Sequence, residues 1–396
     1  MNPSLCWSAD FETTTDKDDC RVWAYALSNI ADPQDFRYGN SIDGLMNFCC
    51  NSKDNYTLYF FNLKFDGCFL LSWCLKNGYT RVESAKERRT KTFTTLITDR
   101  GAFYAIEIYF EVKGHRVNKV TIIDAMKIFP NFSVERLAES FGLPISKLEL
   151  DYREKREIGH ELTKQEIDYI RNDVEIVAYA LKAMFDKGLT RMTIASNAMQ
   201  DFRKRCKHFK KLFPALDEKV DKEIRASYRG GFTYINDKYV GKVMNNGVTL
   251  DVNSLYPSVM KFKPMPIGEP VYFEGKYEED PLYPLYTQMV TCCFELKPNK
   301  IPCIQIKNSF SFMPNEYLKS SNEKLVTLTL TRPDLELFLQ QYDVTEIYYE
   351  CGWKFKSAEH IFDDYIDYWT EEKITAGKEG NKGRRQIAKL MLNSLY

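Results

Sequence analysis

Leu5-Cys6-Trp7-Ser8-Ala9-Asp10-Phe11-Glu12 is an apolar run that ends in two acids, and its reading decides the first domain. The run reads as a strand. A strand's period of two places Asp10 and Glu12 on one face while Phe11 turns the other way into the core. Working outward, residues 13–19 form a polar turn and residues 21–30 alternate as a second strand. Residues 56–62 and 120–124 are short and β-rich, whereas 134–141 and 164–185 carry helical periodicity, the latter entered from Thr163 as an N-cap. Strands interleaved with helices predict an α/β first domain.

Two acids on one strand face invite a divalent cation, but an acid pair at a strand end is more often a solvated edge. Its weight comes from company. Asn62-Leu63-Lys64-Phe65-Asp66 brings another carboxylate to the start of an apolar helix, with Asn62 and Phe65 suited to hydrogen-bond and stack on a single-stranded 3' end. Tyr169 and Asp173 are four apart on one helix, so phenol and carboxylate point the same way. Asp10, Glu12, Asp66 and Asp173 form a set able to bind two hard cations, with Tyr169 placed to orient the attacking water in phosphodiester hydrolysis. His115, His160, His208 and His360 fit no catalytic spacing and are expected in surface or capping roles.

The order DFE, NxxFD, YxxxD resembles the three exonuclease motifs of proofreading DNA polymerases. The wording around Asp10 and Asn62 is similar to the protein-primed bacteriophage branch of family B. The resemblance implies an RNase H-like 3'→5' exonuclease domain, with Thr13, Asn62, Phe65 and Lys147 at the single-stranded end. Two departures stand out: Phe61 occupies the place of a usual histidine, and Ala125-Met126 that of a Ser-Leu pair.

Beyond residue 225 the chain becomes strand-rich, with strands expected at 232–235, 247–252, 271–273 and 289–296, a mixed α+β second half. Tyr228-Arg229-Gly230-Gly231 reads by itself as a hairpin turn; by resemblance it is the YxGG loop, which with Phe232 contacts template DNA. Thr249 to Pro257 contains Asp251-Val252-Asn253-Ser254-Leu255-Tyr256, a strand followed by a sharp turn. It resembles polymerase motif A. The resemblance implies that Asp251 and the Val252 backbone bind metal, that Ser254 and Leu255 lie along the triphosphate, and that Tyr256 excludes ribonucleotides. A helix is expected over 384–396, with Arg385, Lys389, Asn393 and Tyr396 on one face and Ile387, Leu390 and Met391 behind. This segment resembles motif B, which assigns Arg385, Lys389, Asn393 and Tyr396 to the nucleotide and Ser394 to DNA. No YxDTDS-like motif C occurs in these 396 residues, so weak or absent nucleotide addition is expected of them.

The resemblance divides the chain into an exonuclease domain (1–190), the start of a palm with the YxGG loop and motif A (191–262), an inserted subdomain of the terminal-protein-region-1 type (263–358), and a palm return with partial fingers (359–396). The C-terminal palm, motif C and thumb are absent from the sequence. It implies a DNA-directed DNA polymerase with proofreading, using two Mg2+ per site with Mn2+ as substitute. Its partners would be primer-template and single-stranded 3' ends, dNTPs and a terminal protein primer. The alternatives are a free-standing 3'→5' exonuclease and an inactive DNA-binding replication remnant.

Composition bounds these readings. A chain of 396 residues exceeds a single core, so several domains are expected. Lys plus Arg equals Asp plus Glu at 55 each, so DNA contact must be local rather than a bulk field. One candidate is Arg203, Lys204, Arg205, Lys207, Lys210 and Lys211, interleaved with Phe202, Phe209 and Phe213; a solvated helix face is the alternative. The cysteines form no CxxC pair and read as reduced thiols. Neither a leader nor an 18-residue apolar run occurs, which with the resemblance predicts a monomer in the host cytoplasm with no membrane partner.

Overall fold

The computed structural model describes residues 2–16, 18–145, 148, 150, 151, 154, 156–305 and 317–396. They form two compact units: Met1–Phe202 with Tyr365–Tyr396, and Arg203–Asp364.

The first unit is built on an eight-stranded sheet. Its strands are β1 (Cys6–Thr13), β2 (Val22–Asn29), β3 (Phe36–Gly39), β4 (Thr57–Phe60), β5 (Thr80–Arg81), β6 (Thr92–Ile97), β7 (Phe103–Lys113) and β8 (Arg116–Asp124), in the order β3-β2-β1-β4-β8-β7-β6-β5. An antiparallel meander, β1 to β3, is followed by β4, parallel to β1, and β8, parallel to β4; the order β3-β2-β1-β4-β8 of these five is the expected RNase H-like arrangement. Parallel strands are buried on both faces. Helices α1 (Ile42–Cys50) and α2 (Leu63–Lys76) pack Leu45, Met46, Leu63 and Leu70 into one core with Trp7, Phe11, Leu58 and Phe60. Between this unit's α3 (Val134–Phe141) and α4 (Lys164–Asp186), the latter sets Tyr169, Ile170 and Val174 against Trp23, Ala24 and Ala26.

Local signals fixed α4. Thr163 accepts from the Glu166 N–H and Glu166 reaches back to the Thr163 N–H, a capping box at the expected boundary. Glu166 itself is buried; burial would raise its pKa, but hydrogen bonds from Arg156, His160 and Thr163 hold it down at about 2.

The second unit contains α6 (Phe209–Leu212), α7 (Glu218–Arg225) and α8 (Leu255–Phe262), with α5 (Ile194–Arg205) at its boundary. An antiparallel sheet follows: β9 (Met265–Glu274), β10 (Leu285–Leu296), β13 (Val326–Thr331) and β14 (Tyr342–Ala358), in the order β13-β10-β14-β9, with a small ladder of β11 (Ile304–Gln305) and β12 (Tyr317–Leu318) beside it. Helix α9 (Arg332–Gln341) covers it with Leu335 and Phe338. This sheet and its helix run over residues 265–358, within the single unit Arg203–Asp364.

Three expectations need correction. Residues 232–235 and 247–252 are not strands but irregular chain, with Val248 and Leu250 more than four-fifths exposed. A period-two pattern becomes a strand only where a ladder accepts it, and these segments pair with no strand among the described residues. For the same reason Tyr228 to Gly231 is no hairpin: it follows α7, and neither glycine has a positive φ. Finally, α10 (Asp363–Lys378) leads to α11 (Lys382–Leu392), which ends with Asn393 as its C-cap, so Tyr396 lies beyond the helix whose face it was expected to share. Ile387, Leu390 and Met391 are buried as expected, while Arg385, Lys389 and Asn393 are exposed.

Candidate active site

Register explains why the acids of distant motifs meet. Ala9 pairs with Phe60 on β4, and Phe60 with Asp124 on β8, so one row crosses the C-terminal ends of β4 and β8 at the point where β1 runs on past them. Ligand sites of open α/β sheets lie at such ends. Asp10 and Glu12 follow Ala9 on β1, while Asp66 enters on the first turn of α2, directly after β4. Asp173 comes from α4, which packs across β1 and β2. A register shift between Glu12 and Thr13, where β2 carries the extra residue Trp23, interrupts the ladder beside the acids before Thr13 pairs with Val22.

Carboxylate oxygens of Asp10, Glu12 and Asp173 all lie within 4.8 Å of one another. Glu12 and Asp173 are buried, and Phe11 points into the opposite core, as its alternation required. Asp66, the fourth expected acid, is not part of that group, but its charge acts on Asp10. Burial, then Asp66, Glu12 and Asp173, pushes the Asp10 carboxyl well above its ordinary range. Burial also raises Asp66 to about 7, with Asp124 adding to the rise while the N–H groups of Asp66 and Phe11 oppose it. A cavity of about 140 Å3, bounded by Ser8, Asp10, Phe61, Val134 and Asp173, opens beside the acids.

This arrangement fits hard cations. Asp10, Glu12 and Asp173 held this close repel one another, the charge of Asp66 adds to the repulsion on Asp10, and the buried Asp66 Oδ1 has no hydrogen-bond partner in the protein. An isolated carboxylate so placed is costly unless a cation meets it.

The remaining exonuclease candidates fall around this cluster. Tyr169 is buried one turn before Asp173, and Asn62, with φ +74°, precedes α2. Phe65 is half exposed at 52%, open to stack on a base, and Thr13 is half-buried at the end of β1. Lys147 lies outside the described residues. Asp124 was not singled out by sequence; an acid ending an ordinary strand gives no signal until its neighbours across the sheet are known. Of the histidines, His160 pairs with Glu166 and His360 with Asp363, while His208 starts α6. All eleven cysteines are free.

The polymerase candidates are gathered less tightly. Asp251 and Val252 are exposed in irregular chain, and Asp251 belongs to no group of three or more potential metal ligands among the described residues. Ser254, with φ +52°, turns the chain into α8, where Leu255 and Tyr256 are half exposed. The structure does bring the YxGG segment to motif A: a Cβ on Gly231 would lie 3.8 Å from the Tyr256 hydroxyl. Arg229 donates to the Thr329 carbonyl at 2.9 Å, and Phe232 packs 5.0 Å from the Tyr317 ring. Arg385, Lys389, Asn393 and Ser394 stand on or just after α11, which packs against α3 and α4 in the first unit.

Residues 48–396 match the family described as DNA polymerase type B, organellar and viral. The chain belongs to that family. The DNA polymerase of Bacillus phage M2 is 45% identical over 392 residues, covering 98% of this chain and 67% of the relative. The phi29 DNA polymerase solved with single-stranded DNA superposes with a TM-score of 0.91 at 42% identity, covering 99% of this chain and 66% of that one. The same enzyme with primer-template DNA and incoming nucleotides gives a TM-score of 0.88 at 44% identity, covering 99% and 68%. This family B chain therefore spans about two thirds of the length of these relatives. No helix among its described residues is long and apolar enough to cross a membrane.

Proposed function

We propose that this chain carries the 3'→5' exonuclease site and part of the polymerase site of a protein-primed phage DNA polymerase. The observation that supports it most is the gathering of Asp10, Glu12 and Asp173, with Asp66 beside them, at one end of the sheet. Asp10, Glu12 and Asp173, with Asp66 beside them, would hold magnesium, or manganese in its place, which would supply Lewis-acid activation of water and charge neutralisation at the leaving 3' oxygen. Asn62 and Phe65 hold and stack the terminal nucleotides, Thr13 supports them at the strand end, and Tyr169 orients the water for in-line attack on the last phosphodiester. Hydrolysis breaks the P–O3' bond, releases a nucleoside 5'-monophosphate and leaves a new 3' hydroxyl.

For the polymerase, Asp251 with the Val252 backbone is assigned to metal, Ser254, Leu255, Tyr256, Arg385, Lys389, Asn393 and Tyr396 to the dNTP, and Tyr228 to Phe232 and Ser394 to DNA. A terminal protein supplies the primer hydroxyl, with the 263–358 sheet as its docking region. Because Asp251 is exposed and belongs to no group of three or more potential metal ligands among the described residues, hydrolysis is the activity favoured for these 396 residues. The test is end-labelled single-stranded DNA and primer-template, incubated with Mg2+ with and without dNTPs. Stepwise loss from the 3' end and little extension are expected; degradation from the 5' end only, or none, contradicts the exonuclease. Robust extension lost in Asp251→Ala contradicts the assignment of little polymerase activity.

The basic run supplies a separate expectation. Arg203, Lys204, Lys207, Lys210 and Lys211 are exposed, the four lysines make no ion pair among the described residues, and Arg203 lies 4.7 Å over the Phe209 ring. If this surface tracks a DNA backbone, replacing the four lysines with glutamine lowers the slope of log affinity against log salt by about 3. An unchanged slope marks it as a solvated face.

A further inference from the structure

One buried acid that the exonuclease mechanism leaves unused is Asp124. It ends β8, is only 3% exposed, and stands opposite Phe60 in the parallel register, at the level where β4 gives way to α2. The start of α2 needs such a group. The first four N–H groups of a helix have no partner within it, and a side chain at the N-cap ordinarily meets one of them. Here the N-cap is Asn62, whose left-handed backbone is accompanied by no capping hydrogen bond from its own side chain. Asp124 takes that part from the neighbouring strand. Its Oδ1 accepts from the N–H groups of Asn62 at 3.3 Å, Leu63 at 3.4 Å and Met126 at 3.0 Å. Its Oδ2 pairs with Lys127 Nζ at 3.1 Å, and that ammonium also lies 5.2 Å over the Tyr104 ring.

Both oxygens are thus committed to donors in the protein, which separates Asp124 from the acids gathered for metal. Asp124 is close enough to raise Asp66, yet it is not part of the group formed by Asp10, Glu12 and Asp173. What it holds is the first turn of α2, and that turn carries Asn62, Phe65 and Asp66. A non-glycine residue at φ +74° persists only where its surroundings over-determine it. With the capping done from β8, the Asn62 side chain is not needed to cap its own helix and stays available to a ligand.

We propose that Asp124 is a positioning residue of the exonuclease site: by capping α2 from the end of β8 it fixes Asn62 and Phe65 for the strand's 3' end and Asp66 for the cluster. The proposal rests on the exonuclease reading above. Three measurements test it. In the wild-type chain without metal, amide hydrogen exchange at Asn62 and Leu63 is expected to be as slow as in the middle of α2; fast exchange typical of an uncapped first turn overturns it. Anisotropy of a fluorescent oligothymidylate in EDTA reads the strand grip without catalysis. Asp124→Asn keeps the acceptor and is expected to bind within about three-fold of wild type, whereas Asp124→Leu loses it and binds about ten-fold more weakly. Asp124→Ser, too short to span the gap, takes the leucine variant's place if that one fails to fold. With Mg2+, the leucine or serine variant is expected to raise KM about ten-fold while kcat falls less than about three-fold, a split that general loss of folded protein does not give. Wild-type binding by the leucine and serine variants, or an asparagine variant as weak as they are, overturns the proposal. A wild-type chain that binds the oligonucleotide but never degrades it defeats the exonuclease reading alone, because the exchange and EDTA arms still judge Asp124.

Discussion

Asp10→Ala is expected to abolish 3' degradation of single-stranded DNA, lowering kcat at least ~1,000-fold, about 4 kcal/mol of barrier. The magnitude follows from the position of Asp10, the acid that feels all three others: Asp66, Glu12 and Asp173 each act on its charge. Removing it would take one of the carboxylates from the group that would hold the cations, and with it part of the activation of water and of the neutralisation of the leaving oxygen. The same substitution should not harm the fold. Asp10 is held among like charges, and its loss relieves repulsion, so without metal the variant is expected to melt at or slightly above the wild-type temperature at pH 8. Activity and stability therefore move in opposite directions. A variant that degrades DNA at the wild-type rate removes Asp10 from the mechanism, and one that loses activity together with stability assigns it a structural role instead.

How much of this was legible in the chain depends on the range of the interactions. The ends of α4 were readable because Thr163 and Glu166 cap the helix they begin, and β1 because Phe11 and its acids alternate in a run that pairs on both sides. The gathering of the acids was expected only from three motifs taken together, since no single pair distinguishes a metal site from a wet strand end. Asp124 was missed for a related reason: its partners Asn62 and Leu63 are about sixty residues away, and only the β4–β8 register reveals them. The ion pairs of Glu372 with Lys187 and Arg384, which tie α10 to the end of α4 and to α11, are equally non-local. Residues 247–252 failed in the opposite sense. Their alternation is sound strand chemistry, but strand structure is a property of a pair, and no partner strand meets them among the described residues.

The acid cluster also makes stability depend on pH and metal in linked ways. Asp66 is raised from its ordinary value to about 7, and Asp10 is raised well above its own. The folded chain therefore keeps a proton on Asp66 between about pH 4 and 7 that the unfolded chain has released, and Asp10 is shifted in the same direction, so the stability they confer is full below the unfolded value and is lost as pH rises, for Asp66 through 7. Glu166 and Glu372, both held at about 2, act in the other direction, but only as pH falls below the ordinary carboxylate range. Above pH 5 the raised pair governs this part of the balance. Without metal, the melting temperature of wild type relative to Asp66→Asn is expected to fall as pH rises from 5 to 8. Magnesium reverses this, because a cation binds the ionised acids and must displace any proton they hold. At a concentration one hundred times its dissociation constant, a single bound cation adds about 2.7 kcal/mol, or roughly 5–10 °C in a unit of this size. The rise is expected at pH 8, to shrink strongly at pH 5.5, and to vanish in Asp10→Ala. Thermal melts in EDTA and in magnesium at the two pH values decide the matter: an increment independent of pH means that the cation binds somewhere other than these raised carboxylates, and no increment at pH 8 means that the four acids do not form a cation site.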